Sequence, residues 1–142
     1  MNVARILENK GPEIVTIGVG ADVSDAIELL NQHNIGALVV VDDAGAVAGI
    51  VSERDIVRRL RGLSGSLLSQ PVTAIMTGRP VTCTRESSID EVMQMMTGRH
   101  FRHMPVVENG RLIGVISIGD VVKSKIEVTE GEAAALREYI AS

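Results

Sequence analysis

The sequence predicts a mixed α/β fold, α+β in character, in which one β-α-β-β-α unit is used twice and a short C-terminal helix follows. Three observations predict it. The stretch Gly49-Ile50-Val51-Ser52-Glu53-Arg54-Asp55 returns as Gly114-Val115-Ile116-Ser117-Ile118-Gly119-Asp120. Around that anchor Thr16 pairs with Thr82, Val23 with Ile89, Val40-Val41 with Val106-Val107 and Gly45 with Gly110, in the same order, so the chain is an internal repeat. Within each copy, short apolar runs of strand length alternate with stretches of helical spacing.

Residues 3–8 form a short apolar lead-in, which Gly11-Pro12 breaks before the strand run Ile14-Val15-Thr16-Ile17. Asp22 caps a helix from Val23 to about His33, with Val23, Ala26, Ile27 and Leu30 on one face. Ala37 to Val41 is a continuous apolar run, as expected of a strand buried on both faces. A turn at Asp42-Asp43-Ala44-Gly45 leads to the strand Val47 to Val51, giving a hairpin. Ser52 then opens a helix to about Leu60, with Asp55 inside its first turn. The second copy restarts at Val72-Thr73-Ala74-Ile75-Met76, which matches Val3 to Leu7. It continues through a strand over Val81 to Thr84, a helix capped by Ser87 or Ser88, and the hairpin Phe101 to Ile116 around Asn109-Gly110. Ser117 opens its last helix. These readings divide the chain into a first unit over 1–61, a linker over 62–71, a second unit over 72–126 and a helical tail over 127–142.

The chain has 142 residues and 45% hydrophobic content, enough for one compact domain or two halves sharing a core. With a formal net charge of -4 and its basic residues dispersed, it lacks the footprint of a nucleic-acid binder. Cys83 is the single cysteine, which excludes a disulfide framework and a Cys-rich metal cluster and points to a reducing compartment. Arg5, Glu8 and Lys10 interrupt any signal-peptide core, and no apolar run approaches membrane-spanning length, so a cytoplasmic protein without a membrane partner is expected. Tyr139 and Phe101 are the only aromatic residues, leaving an aliphatic core in which the methionines act as filler.

Two units of this kind, each ending in Gly-β-branched-β-branched-Ser-x-x-Asp, with Met76-Thr77 and Met104-Pro105-Val106-Val107 in the second, resemble a tandem pair of CBS domains, the Bateman module. The resemblance runs from about residue 3 to 126. It implies two units packed sheet to sheet about a pseudo-twofold axis, with two clefts that hold adenosine-bearing ligands such as AMP, ATP, NAD(H) or S-adenosylmethionine. It also implies further association into a homodimer and no required cofactor. Asp55 and Asp120 match the ribose-binding position, and a carboxylate there can accept charge-assisted hydrogen bonds worth about 1.5–3 kcal/mol each. Ser52 and Ser117, at helix starts, match phosphate-binding positions. Arg102 and His103 match basic positions aimed at phosphate, where the first copy has Gly36 and Ala37, so the clefts are expected to be unequal; Arg54 partly compensates. Thr16, Ala37, Thr82, Cys83 and Met104 match the adenine-binding places.

The expected function is a regulatory or sensor module that binds an adenosine derivative and signals by conformational change to a separate protein effector. A ligand-free structural dimerisation module is the alternative, since a capping box alone accounts for each Ser-x-x-Asp. An enzyme acting on a bound nucleotide is a third reading, and the sequence offers no catalytic residues for it. Two other patterns lead nowhere. Gly18-Val19-Gly20 resembles a dinucleotide fingerprint, but its third glycine is replaced by Val23 and the second copy has Thr84-Arg85-Glu86 there. His100 and His103 straddle a helix-to-strand turn with no thiol or carboxylate nearby in sequence, a poor metal set.

Overall fold

The computed structural model describes residues 1–63 and 65–141; Ser64 of the predicted linker and Ser142 of the predicted tail lie outside them. The chain runs α1 (Val3–Lys10), β1 (Thr16–Gly18), α2 (Val23–His33), β2 (Ala37–Val41), β3 (Val47–Ser52), α3 (Glu53–Leu63), β4 (Thr77–Gly78), α4 (Ile89–Arg99), β5 (His103–Glu108), β6 (Arg111–Ser117) and α5 (Ile118–Ala141), with single 3-10 turns at Leu67–Ser69 and Val72–Ala74.

Local chemistry accounts for the joints. Asp22 and Asp25 close a reciprocal capping box at the start of α2, at 2.9 and 3.1 Å. That carboxylate occupies the helix start, where a dinucleotide fold would place its pyrophosphate. Ser88 caps α4 by accepting from the Glu91 N–H at 3.1 Å, while the Ser87 hydroxyl accepts from the Thr84 N–H at 3.0 Å. Both α2 and α4 end on a left-handed residue, Asn34 and His100. In the first hairpin, Asp42 Oδ1 accepts from the Ala44 and Ala46 N–H groups; in the second, Asn109 and Gly110 both take positive φ.

The first sheet has the order β1-β2-β3-β4, with β1 parallel to β2 and the other pairs antiparallel. The second is the β5-β6 hairpin. Both carry a bulge at the same place in the repeat, between Val40 and Val41 and between Val106 and Val107. Every β2 residue up to Val40 is buried. Leu38 and Val40 enter the first core, and the alternate residues Ala37 and Val39 line the opposite face, turned toward the second half.

Packing exchanges the ends of the two units. Val3 and Ile6 of α1 sit in the core built around α4, β5, β6 and Val121 of α5, while Val72 and Ile75 sit in the core built around β2, β3 and α2. Each unit therefore completes its twin. The exchange explains the glycine that both copies keep. A Cβ on Gly49 would lie 2.5 Å from Met76 Sδ and 2.7 Å from Thr77 O, and one on Gly114 would lie 2.5 Å from Leu7 Cδ2, where Leu7 and Met76 are repeat equivalents.

The structure departs from the sequence reading in four places. The lead-in is a helix, α1. The predicted strand Val81 to Thr84 is reduced to one parallel bridge, Cys83 to Val106, because Pro80 offers no N–H and Thr84 turns its own to Ser87. Thr77–Gly78 adds an edge strand to the first sheet. The last helix and the tail are one continuous helix over Ile118–Ala141, rather than a separate short helix, since Gly131 has ordinary helical neighbours on both sides and nothing there terminates the turn. In addition, Leu67 within the predicted linker is fully buried in the first core.

Candidate functional site

Both copies of the repeated motif fold identically at their helix starts. Asp55 N–H donates to Ser52 Oγ at 3.2 Å and Ser52 N–H donates to Asp55 Oδ2 at 2.9 Å; Asp120 N–H donates to Ser117 Oγ at 3.1 Å and Ser117 N–H to Asp120 Oδ2 at 2.9 Å. These are complete capping boxes. A further pair of bonds ties each helix to the start of the neighbouring strand, Glu53 N–H to Gly36 O at 3.0 Å and Ile118 N–H to Arg102 O at 2.8 Å.

The symmetry then breaks. In the first motif Asp55 Oδ2 accepts, among the described residues, only from its own Ser52, whose hydroxyl adds a bond at 3.0 Å. In the second, the Lys10 ammonium reaches Asp120 Oδ2 at 2.8 Å and Val115 O at 2.9 Å. Burial alone would raise the Asp120 pKa, but the bonds from Lys10 and Ser117 outweigh it and hold the carboxyl below its ordinary value.

Two clefts flank the contact between the halves. The first encloses about 380 Å³ and is walled by β3 and the start of α3 on one side and by residues 99–103 on the other. Ser52, Asp55 and Arg54 line it, as do Arg58, Arg99 and Arg102, so four arginines share the cleft with the carboxylate residues Asp55 and Glu53. None of those arginines has an ion-pair partner among the described residues. Ile50, Pro80, Val81 and Phe101 supply an apolar wall. Such a mixture, a few converging polar groups against an apolar wall at this volume, is that of a small-ligand pocket.

The second cleft encloses about 350 Å³. Ile14, Val15, Ile35, Ala37 and Val115 make it apolar, and Ser117, Lys10 and Glu13 also line it. Lys10 thus lies across the carboxylate that the repeat would otherwise present.

His103 belongs to both clefts. Its ring rests on Gly36, where a Cβ would come 3.3 Å from Nε2, so the absence of a side chain at 36 makes room for the shared wall. Burial pulls the imidazole below its ordinary value of 6.5; Lys10 and Arg102 act in the same direction, and Asp120 and Glu53 oppose them.

Of the predicted site residues, the structure brings Ser52, Asp55, Arg54, Arg102 and His103 together in the first cleft and places Ser117 and Ala37 in the second. Asp120 keeps its predicted position, with its carboxylate engaged by Lys10. The adenine assignments fare differently. Met104 and Cys83 point into the second core, because strand alternation that turns His103 to the cleft turns Met104 away from it. Thr16 and Thr82 are not among the residues lining either cleft. Burial also pushes the Cys83 thiol up to about 12. Sequence reasoning passed over Lys10, Arg58 and Arg99. Arg99 and His100 lie three and two residues before Arg102, which is a usable signal; nothing in the sequence ties Lys10 to Asp120. Among the described residues, no three His, Cys, Asp or Glu side chains are arranged to hold a metal ion, and no helix is long and apolar enough to cross a membrane.

Comparison with known proteins gives a consistent result. The sequence pattern of the CBS domain matches residues 5–62 and 72–127. The mitochondrial CBS domain-containing protein CBSX3 of Arabidopsis thaliana is 40% identical over 122 residues, which is 83% of this chain and 59% of that protein. The CBS-domain protein ATU1752 of Agrobacterium tumefaciens superimposes with a TM-score of 0.84 at 46% identity, covering 88% of this chain and 99% of that one. Two more distant folds were solved with ligands. PAE2072 of Pyrobaculum aerophilum, complexed with AMP, has a TM-score of 0.76 at 27% identity over 84% of this chain and 89% of that one. The CBS domain pair of MJ0100, with 5-methylthioadenosine and S-adenosylmethionine, has a TM-score of 0.77 at 25% identity over 87% and 98%.

Proposed function

Because the chain belongs to the CBS domain family, as a tandem pair of its units, we propose that it is a non-catalytic regulatory module whose first cleft takes an adenosine-bearing anion. The observation that carries this reading is the meeting, in one apolar-walled cleft, of Asp55 with four arginines that have no ion-pair partner among the described residues. Asp55 accepts from the ribose hydroxyls, and Ile50, Pro80 and Val81 pack against the adenine. Arg102, Arg99 and Arg54 hold the phosphate together with the Ser52 hydroxyl and the dipole of α3. AMP in one relative and S-adenosylmethionine in another support the adenosine class. Between them, the excess of guanidinium groups favours the phosphate-bearing member over a sulfonium cation, and ATP and NAD(H) extend the same chemistry.

Occupancy would be passed on through the packing of the two halves, and only to the extent that the ligand binds one arrangement better than another. The recipients in this reading are a second copy of the chain and a protein effector. An enzymatic role draws no support from Cys83, which is buried and carries a thiol too weakly acidic to serve as a nucleophile near neutral pH.

The complete capping boxes favour one other reading, a structural module whose Ser-x-x-Asp motifs only start helices. Asp55→Ala separates the two. Calorimetric titration with AMP, ATP, NAD(H) and S-adenosylmethionine should show the variant binding the preferred nucleotide at least about 100-fold more weakly, since two charge-assisted bonds of about 1.5–3 kcal/mol each go. Its thermal stability should drop by only about 1 kcal/mol for the lost cap. A variant that loses the stability and keeps the affinity supports the structural reading.

A further inference from the structure

The inner face of α5 is spoken for. Val121 and Ser124 are buried, Lys125 reaches Asp90 at 3.0 Å, and the helix packs on α4, α1 and β6. The face about 100° round the helix from it is not. Two interleaved seven-residue series, Val122, Thr129, Leu136 and Ile126, Ala133, Ile140, run along it as one seam. Val122, Ile126, Leu136 and Ile140 are 42, 52, 59 and 74% exposed. The Thr129 hydroxyl is satisfied on its own helix, donating to Lys125 O at 2.9 Å, so covering the seam strands no donor there. Beyond Thr129 every described residue of α5 except Ala133 is exposed. A helical extension of that length is marginal on its own, and a partner on the seam would secure it.

The charges beside the seam name the partner and its direction. In a parallel pair of identical helices, each residue before the Ile126 series faces the partner residue five further on. Lys125 then faces the partner's Glu130, and Glu132 faces the partner's Arg137, opposite signs in both cases. Lys125 is already held by Asp90, so Glu132 with Arg137 is the pair that acts in full; neither has an ion-pair partner among the described residues. An antiparallel pair sets Glu130 against Glu130, Glu132 against Glu132 and Lys123 against Arg137. Isoleucine at two positions of one series and leucine in the other also match the preference of two-stranded parallel coils. We propose that α5 pairs in parallel with α5 of a second copy of this chain along this seam. The inference makes the dimer of the functional reading specific, and it stands whether or not the clefts bind nucleotide.

The test uses the full chain. Leu136→Cys should give a disulfide-linked dimer on mild oxidation, with Cys83 buried and inert, while Glu138→Cys on the far side of the helix should not. By sedimentation equilibrium, Glu132→Arg and Arg137→Glu should each weaken self-association about tenfold, because both symmetry-related pairs become repulsive, and the double variant should regain it. Circular dichroism should show no loss of helix beyond the segment past Thr129, since these side chains are exposed in the single chain, and AMP titration of the same variants reports the functional reading separately. A monomer at micromolar concentration overturns the inference. So does a dimer that fails to cross-link through Leu136→Cys, or one indifferent to the charge reversals.

Discussion

Replacing Lys10 with Met should open the second cleft. Its ammonium bonds Asp120 Oδ2 at 2.8 Å and Val115 O at 2.9 Å, and an adenosine that uses Asp120 must displace both. The two side chains of the ion pair are 42 and 25% exposed, so solvent screens the pair to about 0.5–1 kcal/mol. The bond to the carbonyl adds about 1 kcal/mol. Displacement therefore costs about 1.5–2 kcal/mol, a factor of about 10 to 30 in affinity against the second cleft. Adenosine without phosphate is the right probe, because losing a cation would itself weaken a phosphate. Calorimetric titration of the natural chain should resolve a first site and a second that is weaker by that factor. In Lys10→Met the second site should tighten while the first stays put, and Asp120→Ala in that background should remove the second alone. Two equal sites in the natural chain, or a Lys10→Met variant whose second site is unchanged, would refute the argument that Lys10 occupies the ribose position.

Other consequences are open to direct measurement. Gly49→Ala should destabilise the fold by about 1–3 kcal/mol in urea melts, since the new methyl meets the Thr77 carbonyl as well as Met76; Gly114→Ala should cost less, because only the end of the Leu7 side chain must move. The fold favours neutral His103, so its contribution to stability is complete above pH 6.5 and declines as pH falls from there toward the depressed folded value. His103→Gln should flatten that part of the pH–stability curve, and in the natural chain AMP affinity should rise over the same descent as the ring gains charge. Native Cys83 should resist a thiol reagent at pH 8 and react fully once the chain is unfolded, because it is buried with its pKa pushed up to about 12.

How far the sequence could be read follows from the range of the forces involved. Capping boxes, the Asn109-Gly110 turn and the apolar run of β2 are local, and their residues announced them. The repeat itself exposed Asp55 and Asp120 as equivalents, because identity at matching positions survives without knowledge of contacts. What escaped was long-range or collective. The exchange of Val3 and Val72 between cores leaves no mark on either segment, and Lys10 meets Asp120 only because α1 is carried to the far half. Thr16, Thr82, Cys83 and Met104 were matched to adenine from motif order alone. Whether each faces cleft or core turns on strand alternation about His103 and on Pro80 ending a strand before it began. The continuity of α5 rests on an absence rather than a signal: no cap or stop separates the helix from the tail, and Gly131 alone costs a helix only about 1 kcal/mol.

The exchanged ends also set an order of assembly. During synthesis, Val3 and Ile6 leave the ribosome well before Ile116 and Val121, yet all four belong to one core. The first core closes on Ile75, when the second half is still unmade. For the interval between, α1 has no apolar surface of its own to join, and its buried face must wait in the open beside a half that is otherwise finished. The residues of α1 are thus fixed by the later of the two cores to form, and a chain arrested between the two would present that waiting face to whatever chaperone or neighbour is nearest.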